Sequence, residues 1–160
     1  MELKNQNVAM KANVTATFRN AKTGKITDVW KGHNLAVNTG LYSIASRLSG
    51  TDIPANKKAT ITYCSVGTGT TAPASGDTSL ETETERKQVS VRSSLLGVAK
   101  FRTFFNTEEA NGTLKECGLF GDDASAVADS GTLFCRLAIN KTKTTSETLT
   151  LDWEVTISTT

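Results

Sequence analysis

Apolar and polar residues alternate along two long stretches, one near each end of the chain. Near the N-terminus the apolar positions are Val8, Met10, Ala12, Val14, Ala16 and Phe18. Near the C-terminus they are Leu149, Leu151, Trp153, Val155 and Ile157, which we assign to the core. A period of two is typical of a β-strand with one face packed and the other in water. The pattern therefore predicts a half-buried strand near each end.

The N-terminal strand is predicted to belong to a hairpin within residues 1–33. The segment NAKTGK provides a turn in which Gly24 is the permissive residue, and Ile26 to Trp30 is predicted to be the returning strand. A second part of the chain, residues 34–158, carries the remaining elements. No linker separates the two parts, so 160 residues predict one domain, residues 1–160.

One segment, NTGLYSIASRLSG, has helical periodicity. Its apolar residues Leu41, Ile44, Ala45 and Leu48 fall at the spacing of one helix face. Asn38 or Thr39 is predicted to cap its start, and Gly50 to end it. We expect the narrow apolar stripe to lie across a sheet.

Further strands are predicted over residues 59–66, 89–105 with a break at 93–97, 114–120 and 132–139. The last two flank the polar segment GDDASAVADSG, so we expect them to pair. Asn111-Gly112 is predicted to form a hairpin turn between Phe105 and Leu114. The pattern as a whole predicts a mainly β fold: an antiparallel β-sandwich of about seven or eight strands, with one short helix at an edge or end.

Composition and charge exclude several classes of protein. A net charge of +2, with acids and bases interleaved, argues against a nucleic-acid patch. No apolar run approaches a membrane span, and MELKNQNVAMKANV lacks the apolar block of a secretory signal, which predicts folding in a cytoplasm. Three well-separated cysteines, Cys64, Cys117 and Cys135, are therefore expected to be buried reduced thiols, with a disulfide between two of them as the alternative.

The glycine-rich segment GTGTT at residues 67–71 is the first candidate for chemistry, because such loops can cradle phosphate. A phosphate-binding loop also needs a nearby lysine and a following helix. Here no lysine occurs before Lys87, and no helical pattern follows. We interpret the segment as a strand ending in a connection.

Other catalytic or metal-binding constellations are weak. His33 is the single histidine, and nothing in the local sequence supports its pairing with Cys64 as a base and nucleophile. GDDAS lacks the ligand spacing of a calcium loop. We therefore predict no catalytic, cofactor or metal site.

Three segments, in this order, resemble known proteins: ITYCSVGTGTTAPASGDTSLETE, RTFFNTEEANGTLKECGLFG and GTLFCRLAINKTKTTSETLTLDWEVTIS. An upstream segment, NLAVNTGLYSIASRL, fits the same pattern. Together they are similar to small tail, baseplate and fibre-associated structural proteins of tailed bacteriophages, over residues 34–158. No single motif is specific, and the order of the segments carries the resemblance.

The resemblance implies a non-enzymatic virion protein, assembled in the bacterial host cytoplasm as an oligomeric tail, baseplate or fibre-anchoring subunit. Its implied partners are copies of itself and other virion proteins. Charge and hydropathy argue separately against nucleic acid and membrane as partners, and no cofactor is expected. Two alternatives remain: a capsid decoration or head-fibre protein, and a module that binds a host-surface glycan. Trp30 and Trp153 are the aromatic residues that could stack on a sugar, and Trp153 is assigned to the core. An enzyme ranks third.

The long connection Gly67 to Lys87 is the candidate assembly interface, and solvated disorder is the alternative. Its candidate contact residues are Thr70, Pro73, Asp77, Leu80 and Glu83. Because little core is assigned to it, we expect the fold to survive replacement of residues 70–83 by a short linker.

Overall fold

The computed structural model describes residues 8–50 and 60–159, which form nine β-strands and one α-helix. The strands are β1 (Val8–Asn20), β2 (Ile26–Ala36), β3 (Ile61–Gly67), β4 (Glu83–Gln88), β5 (Val91–Leu95), β6 (Val98–Phe105), β7 (Gly112–Gly121), β8 (Thr132–Lys143) and β9 (Glu147–Thr159). The helix α1 (Asn38–Ser49) lies between β2 and β3. The strand pairs are antiparallel, so the predicted mainly β fold with one helix is confirmed.

The strands form two sheets that share one strand. Sheet one has the order β2-β1-β9-β6-β5, and sheet two has the order β4-β3-β7-β8-β2, so that β2 belongs to both. Most of β2 pairs with β1, but its last residues, Leu35 and Ala36, pair with Arg136 and Cys135 of β8. The chain therefore passes from one sheet to the other without breaking the ladder of strands.

The main core lies between the two sheets. Among the predicted core residues Leu149, Leu151, Trp153 and Val155 are buried, with Trp153 only 1% exposed. The assignment is wrong for Ile157, which is 48% exposed. Ile157 lines an open groove of about 450 Å³ near the end of β9, so it lies where the sheets do not cover each other.

Two predicted strand pairs are confirmed, and one predicted turn is wrong. The hairpin β1–β2 and the pair β7–β8 form as expected. Asn111-Gly112 does not join a hairpin, because β6 pairs with β9 in sheet one whereas β7 pairs with β3 and β8 in sheet two. That connection instead carries the chain between the sheets.

The helix packs on the fold through a small residue, Gly40, and through one member of its apolar stripe, Ile44. Gly40 is buried, and a Cβ atom built there would lie 2.7 Å from the Phe134 backbone. Ile44 packs against the main core as expected of the stripe, whereas Leu41 and Leu48 are 41% and 86% exposed, so the expected packing is wrong for these two leucines. This helix, the single one among the described residues, is not long and apolar enough to cross a membrane.

The predicted helix end is confirmed, but the predicted caps are not. Gly50 adopts the left-handed conformation that ends a helix, with φ of 68°. Val37 occupies the N-cap position and makes no side-chain capping bond. Asn38 is the first helical residue, and the Thr39 hydroxyl donates instead to the carbonyl of Leu133 at 2.8 Å. The helix start is thus tied to β8.

Candidate functional site

The connection between β3 and β4, residues 68–82, is named the outer loop below. It is shorter than the irregular stretch expected from sequence, because Glu83–Gln88 forms β4 and pairs with β3. The charged sequence ETERKQ has no alternating apolar residues, so this strand carries no sequence signal. The outer loop is hydrogen-bonded to the sheet on which it lies, as its contacts with Glu116 and Arg136 show.

Strand alternation places these two charged residues on the outer face of sheet two. In β7, Cys117 and Leu119 point into the main core, so Glu116 and Gly118 point outward. In β8, Arg136 lies opposite Gly118 in the register and is thus on the same outer face. The outer loop covers this face, and Glu116 and Arg136 are only 1% and 3% exposed.

The Glu116 carboxylate accepts hydrogen bonds from three backbone N–H groups of the outer loop. Gly69 donates at 3.0 Å, Glu81 at 2.9 Å and Thr82 at 2.7 Å. These donors come from both ends of the loop, so the Glu116 side chain holds the two ends of the loop together. Buried carboxylates require such partners, since an unpaired buried charge is very costly.

The Arg136 guanidinium neutralises Glu116 and binds the middle of the loop. Its Nε and Nη2 atoms each lie 2.9 Å from Glu116 Oε2. Nη1 donates to Asp77 at 2.6 Å, and Nη2 donates to the Thr71 carbonyl at 3.1 Å. The charged fork is therefore satisfied on every side by groups of this chain.

Two further carboxylates stabilise turns within the loop. Asp77 accepts from the Ala74 N–H at 2.9 Å, and Glu81 accepts from the Thr71 N–H at 2.7 Å and from the Thr71 hydroxyl at 2.8 Å. Burial acts to raise the pKa of Asp77, but the Ala74 N–H and Arg136 outweigh it and hold that pKa below its ordinary value. The pKa of Glu81 is lowered mainly by its bonds to Thr71.

A small second core lies under the outer loop. Leu80 is 3% exposed and packs with Val37, Phe120 and Leu133, outside the main core. Gly118 makes room for it: a Cβ atom at Gly118 would lie 3.1 Å from Leu80. Leu80 is therefore buried within its own chain, and its assignment as an interface contact residue is wrong for this structure.

The other candidate interface residues divide between the loop surface and its supports. Thr70 is exposed and Pro73 is half-buried. Asp77 pairs with Arg136, and Glu83 pairs with Arg86 at 2.7 Å. The structure thus brings all five onto one face of sheet two, but Thr70 alone is largely open to solvent.

The rest of this face is covered by the connection between β7 and β8. Arg86 of β4 lies over the Phe120 ring, 4.3 Å from its centroid, and donates to the Ser130 carbonyl at 2.8 Å. The start of α1 also meets the outer loop, since the Asn38 N–H donates to the Ser75 carbonyl at 2.8 Å. Sheet two is therefore buried on both faces.

The close contacts of the glycine-rich segment show that it binds a carboxylate of its own chain. Gly67 and Gly69 are required by close approach, because a Cβ atom would lie 2.3 Å from the Thr82 carbonyl at Gly67 and 2.4 Å from Glu116 at Gly69. The loop does bind an anion through its backbone, but that anion is the Glu116 carboxylate of the same chain. The site is filled, and its backbone donors are not available to a phosphate.

The remaining candidate chemistry finds no support in the described residues. Residues 8–50 and 60–159 contain no cluster of three or more His, Cys, Asp or Glu placed to hold a metal ion. Burial raises the pKa of Cys64 to about 12, so its thiol stays protonated, while His33 is exposed and bonded to Asn13. All three cysteines are buried and free of disulfides, as expected.

Glu116 and Arg136 are the residues that reasoning from sequence missed. Each is the lone charge within an otherwise apolar or small-residue segment, ECGLFG and LFCRLAI, of two strands that were expected to pair. Opposite charges in such positions signal a buried ion pair, because strands of this kind exclude unpaired charges.

Comparison with protein-family models, curated proteins and solved structures found no match to this chain.

Proposed function

We propose that this protein is a non-enzymatic structural subunit of a tailed-bacteriophage virion. It acts by assembly with copies of itself and with other virion proteins, in a tail, baseplate or fibre-anchoring position. The proposal draws on the resemblance of residues 34–158 and on the way the outer loop is held. Capsid decoration uses the same assembly chemistry and differs only in the station within the particle.

The observation that carries the proposal is that contacts within a single chain already hold the outer loop in one ordered conformation. Glu116 binds the two ends of the loop and Arg136 binds its middle. The exposed residues of the loop include Thr70, Thr71, Ala72 and Ser75. A loop that is already ordered loses little conformational entropy when a partner binds. The conformational entropy of the outer loop is thus lost when the chain folds and not when a partner binds. The exposed surface of the loop is therefore suited to repeated assembly.

Exposed apolar side chains near the loop add support. On α1, whose first N–H bonds to the loop, Leu41, Tyr42 and Leu48 are 41%, 66% and 86% exposed. Large apolar side chains grouped on one exposed element are typical of protein–protein contacts. Assembly gives these side chains a partner.

The alternative functions have less support from this structure. Of the two tryptophans considered for stacking on a sugar, Trp153 is buried and Trp30 packs against the core over Gly32. A thiol enzyme needs an accessible, acidic cysteine, whereas the pKa of Cys64 is raised to about 12 by burial.

The test is incorporation into particles by variants of the exposed loop. Thr70→Arg and Ala72→Arg add bulk and charge at exposed positions without touching the second core. Matched control variants are Val127→Arg and Ala128→Arg, at exposed positions of the β7–β8 connection. Wild type and variants are compared by thermal melting and by quantifying the protein in purified virions.

We expect all four variants to melt like the wild type, and the loop variants to be incorporated several-fold less than the controls. Equal incorporation of loop and control variants would remove the loop from the interface. Absence of the wild-type protein from purified virions would overturn the proposed function itself.

A further inference from the structure

The two sheets end in edge strands of opposite character. At the edge of sheet two, β4 carries four charged residues among six, and its pairing with β3 is interrupted by a bulge beside Gly67. Arg86 and Glu83 further tie this strand to the β7–β8 connection. Charges, bulges and covering loops are the usual means by which proteins prevent pairing of a sheet edge.

At the edge of sheet one, β5 has little of this protection. All five of its residues, VRSSL, are exposed, and its pairing with β6 is regular throughout. Arg92 is its single charged residue, whereas Val91 and Leu95 are 54% and 72% exposed. Among the described residues, no strand pairs with its outer edge.

The turn that follows β5 determines which backbone groups are free. Leu96 and Gly97 form a two-residue turn, with φ of 48° and 80°, closed by the pair Leu95 and Val98. In such a hairpin the closing residues exchange both backbone hydrogen bonds, and alternate residues repeat this pattern. The N–H and C=O groups of Arg92 and Ser94 therefore point away from the hairpin.

We propose that β5 pairs antiparallel with β5 of a second copy, about a two-fold axis at Ser93. In this register Arg92 of each copy faces Ser94 of the other, and the outward backbone groups form four hydrogen bonds. Both copies use the same patch, as a two-fold interface requires. The inference rests on the proposed assembly function and specifies one of its interfaces.

The side chains select this register over its neighbours. A shift that centres the axis on Arg92 places two guanidinium groups opposite each other, which is unfavourable. A shift that centres it on Ser94 leaves Val91 opposite Gly97, without an apolar partner. With the axis at Ser93, Val91 of each copy lies opposite Leu95 of the other.

The outer face of sheet one explains why these two apolar residues need a partner. Neighbouring strands present charged pairs to water there, including Lys100 with Glu154 and Arg102 with Asp152. Val91 and Leu95 share this face, since they lie opposite Arg102 and Val98 in the register of β5 and β6. Pairing two copies places four exposed apolar side chains in contact.

Five-residue edges form a small interface, well below the roughly 1,600 Å² of a stable standard complex. The pairing is therefore weak in dilute solution and is reinforced where a particle holds many copies close together.

Cysteine cross-linking tests the axis directly. Residues on the two-fold axis form a non-hydrogen-bonded pair, whose Cα atoms lie about 4.5 Å apart. This is within the range that a disulfide bridges. Ser93→Cys is compared with Ser94→Cys, whose two copies lie farther apart, at matched concentrations of the full chain under mild oxidation. The native thiols are buried and contribute little background.

We expect Ser93→Cys to give covalent dimer several-fold faster than Ser94→Cys, increasingly so at higher concentration. Equal rates in the two variants, or no dimer from Ser93→Cys, overturns the proposed pairing. If virions still incorporate the protein in that case, the assembly function survives and only this interface is wrong.

Charge substitution tests the register independently. V91K/L95K opposes like charges twice across the axis, whereas V91K/L95E opposes unlike charges twice with equal loss of apolar surface. We expect sedimentation equilibrium to show weaker dimerisation for V91K/L95K than for V91K/L95E. Equal association of the two double variants contradicts the register.

Discussion

Lys100 and Glu154 meet at 2.6 Å on the outer face of sheet one, with their side chains 55% and 49% exposed. Arg136 and Glu116 meet at 2.9 Å on the outer face of sheet two, with side chains only 3% and 1% exposed. The two ion pairs have similar geometry but opposite surroundings. One lies in water, and the other lies beneath the outer loop.

The difference shows which charges determine the structure. An exposed pair gains little, because water and salt screen it and either residue is well solvated alone. A buried pair is weak evidence for net stability, yet loss of either partner is costly because the other is left desolvated. Glu116 and Arg136 therefore determine the position of the outer loop, whereas the pair of Lys100 and Glu154 does not position any other segment.

The largest effect is expected from removing the loop itself. Replacing residues 70–83 by a short Gly-Ser linker deletes Leu80 and two of the three backbone donors to Glu116, those of Glu81 and Thr82. The expectation from sequence that the fold survives is thus revised: we expect loss of cooperative unfolding or a melting transition lowered by more than any single substitution below. Circular dichroism during heating measures this, and a wild-type melting curve would contradict it.

Glu116→Ala should cost about 3–5 kcal/mol of unfolding free energy, because Arg136 and three backbone N–H groups lose their partner. The matched control is Glu154→Ala on sheet one, with an expected change below about 1 kcal/mol. Urea unfolding of both variants gives the comparison. Similar values for the two would show that burial does not distinguish the pairs.

Trp153→Ala should also cost about 3–5 kcal/mol, since the ring is 1% exposed between the sheets. The effect arises in the core that both sheets share, so the outer loop should remain attached in the folded fraction. Urea unfolding measures the loss. An unchanged midpoint together with lost partner binding would make Trp153 a contact residue instead.

Acid should weaken the covered face through Asp77. The folded-state pKa of Asp77 is lowered, so its contribution to stability is present above the unfolded pKa of about 3.9 and is lost as pH falls through the folded value. Asp77→Asn should therefore be less stable than wild type at neutral pH, with the difference shrinking below about pH 4. A difference that is constant across this range contradicts the assignment.

The smallest effect is expected from Arg102→Ala. Arg102 donates to Asp152 at 2.6 Å, but its side chain is 56% exposed, so the loss should be below about 1 kcal/mol and smaller still at high salt. Unfolding at two salt concentrations measures it. A loss as large as that of Glu116→Ala would erase the contrast between the faces.

The prediction of strands and buried residues from sequence succeeded where one face of a strand is exposed to solvent. In β1 and β9 the alternation of packed and solvated residues marks each position, so four of five assigned core residues are buried. It failed for β4, where every side chain is polar, and for Asn111-Gly112, where a turn signal carries no information about which sheet the next strand joins.

The sequence indicated which segment forms the candidate site, but not which residues hold that segment in place. The connection after Gly67 was singled out for its length, yet the residues that order it, Glu116 and Arg136, lie on strands distant in sequence. Leu80 was assigned to a contact surface because one apolar residue in a polar loop does not reveal which surface covers it. Here the covering surface is the second core of the same chain.

The pairing of β1 with β9 has a mechanical consequence. Its register runs over thirteen residue pairs, from Val8 opposite Thr159 to Asn20 opposite Glu147. Tension applied between Val8 and Thr159 would open this ladder one pair at a time, like a zipper. Tension applied between Val8 and Glu147 would instead load all of the pairs in shear. The domain should therefore yield at low force in the first direction and resist strongly in the second, which makes the direction of pulling decisive for its strength.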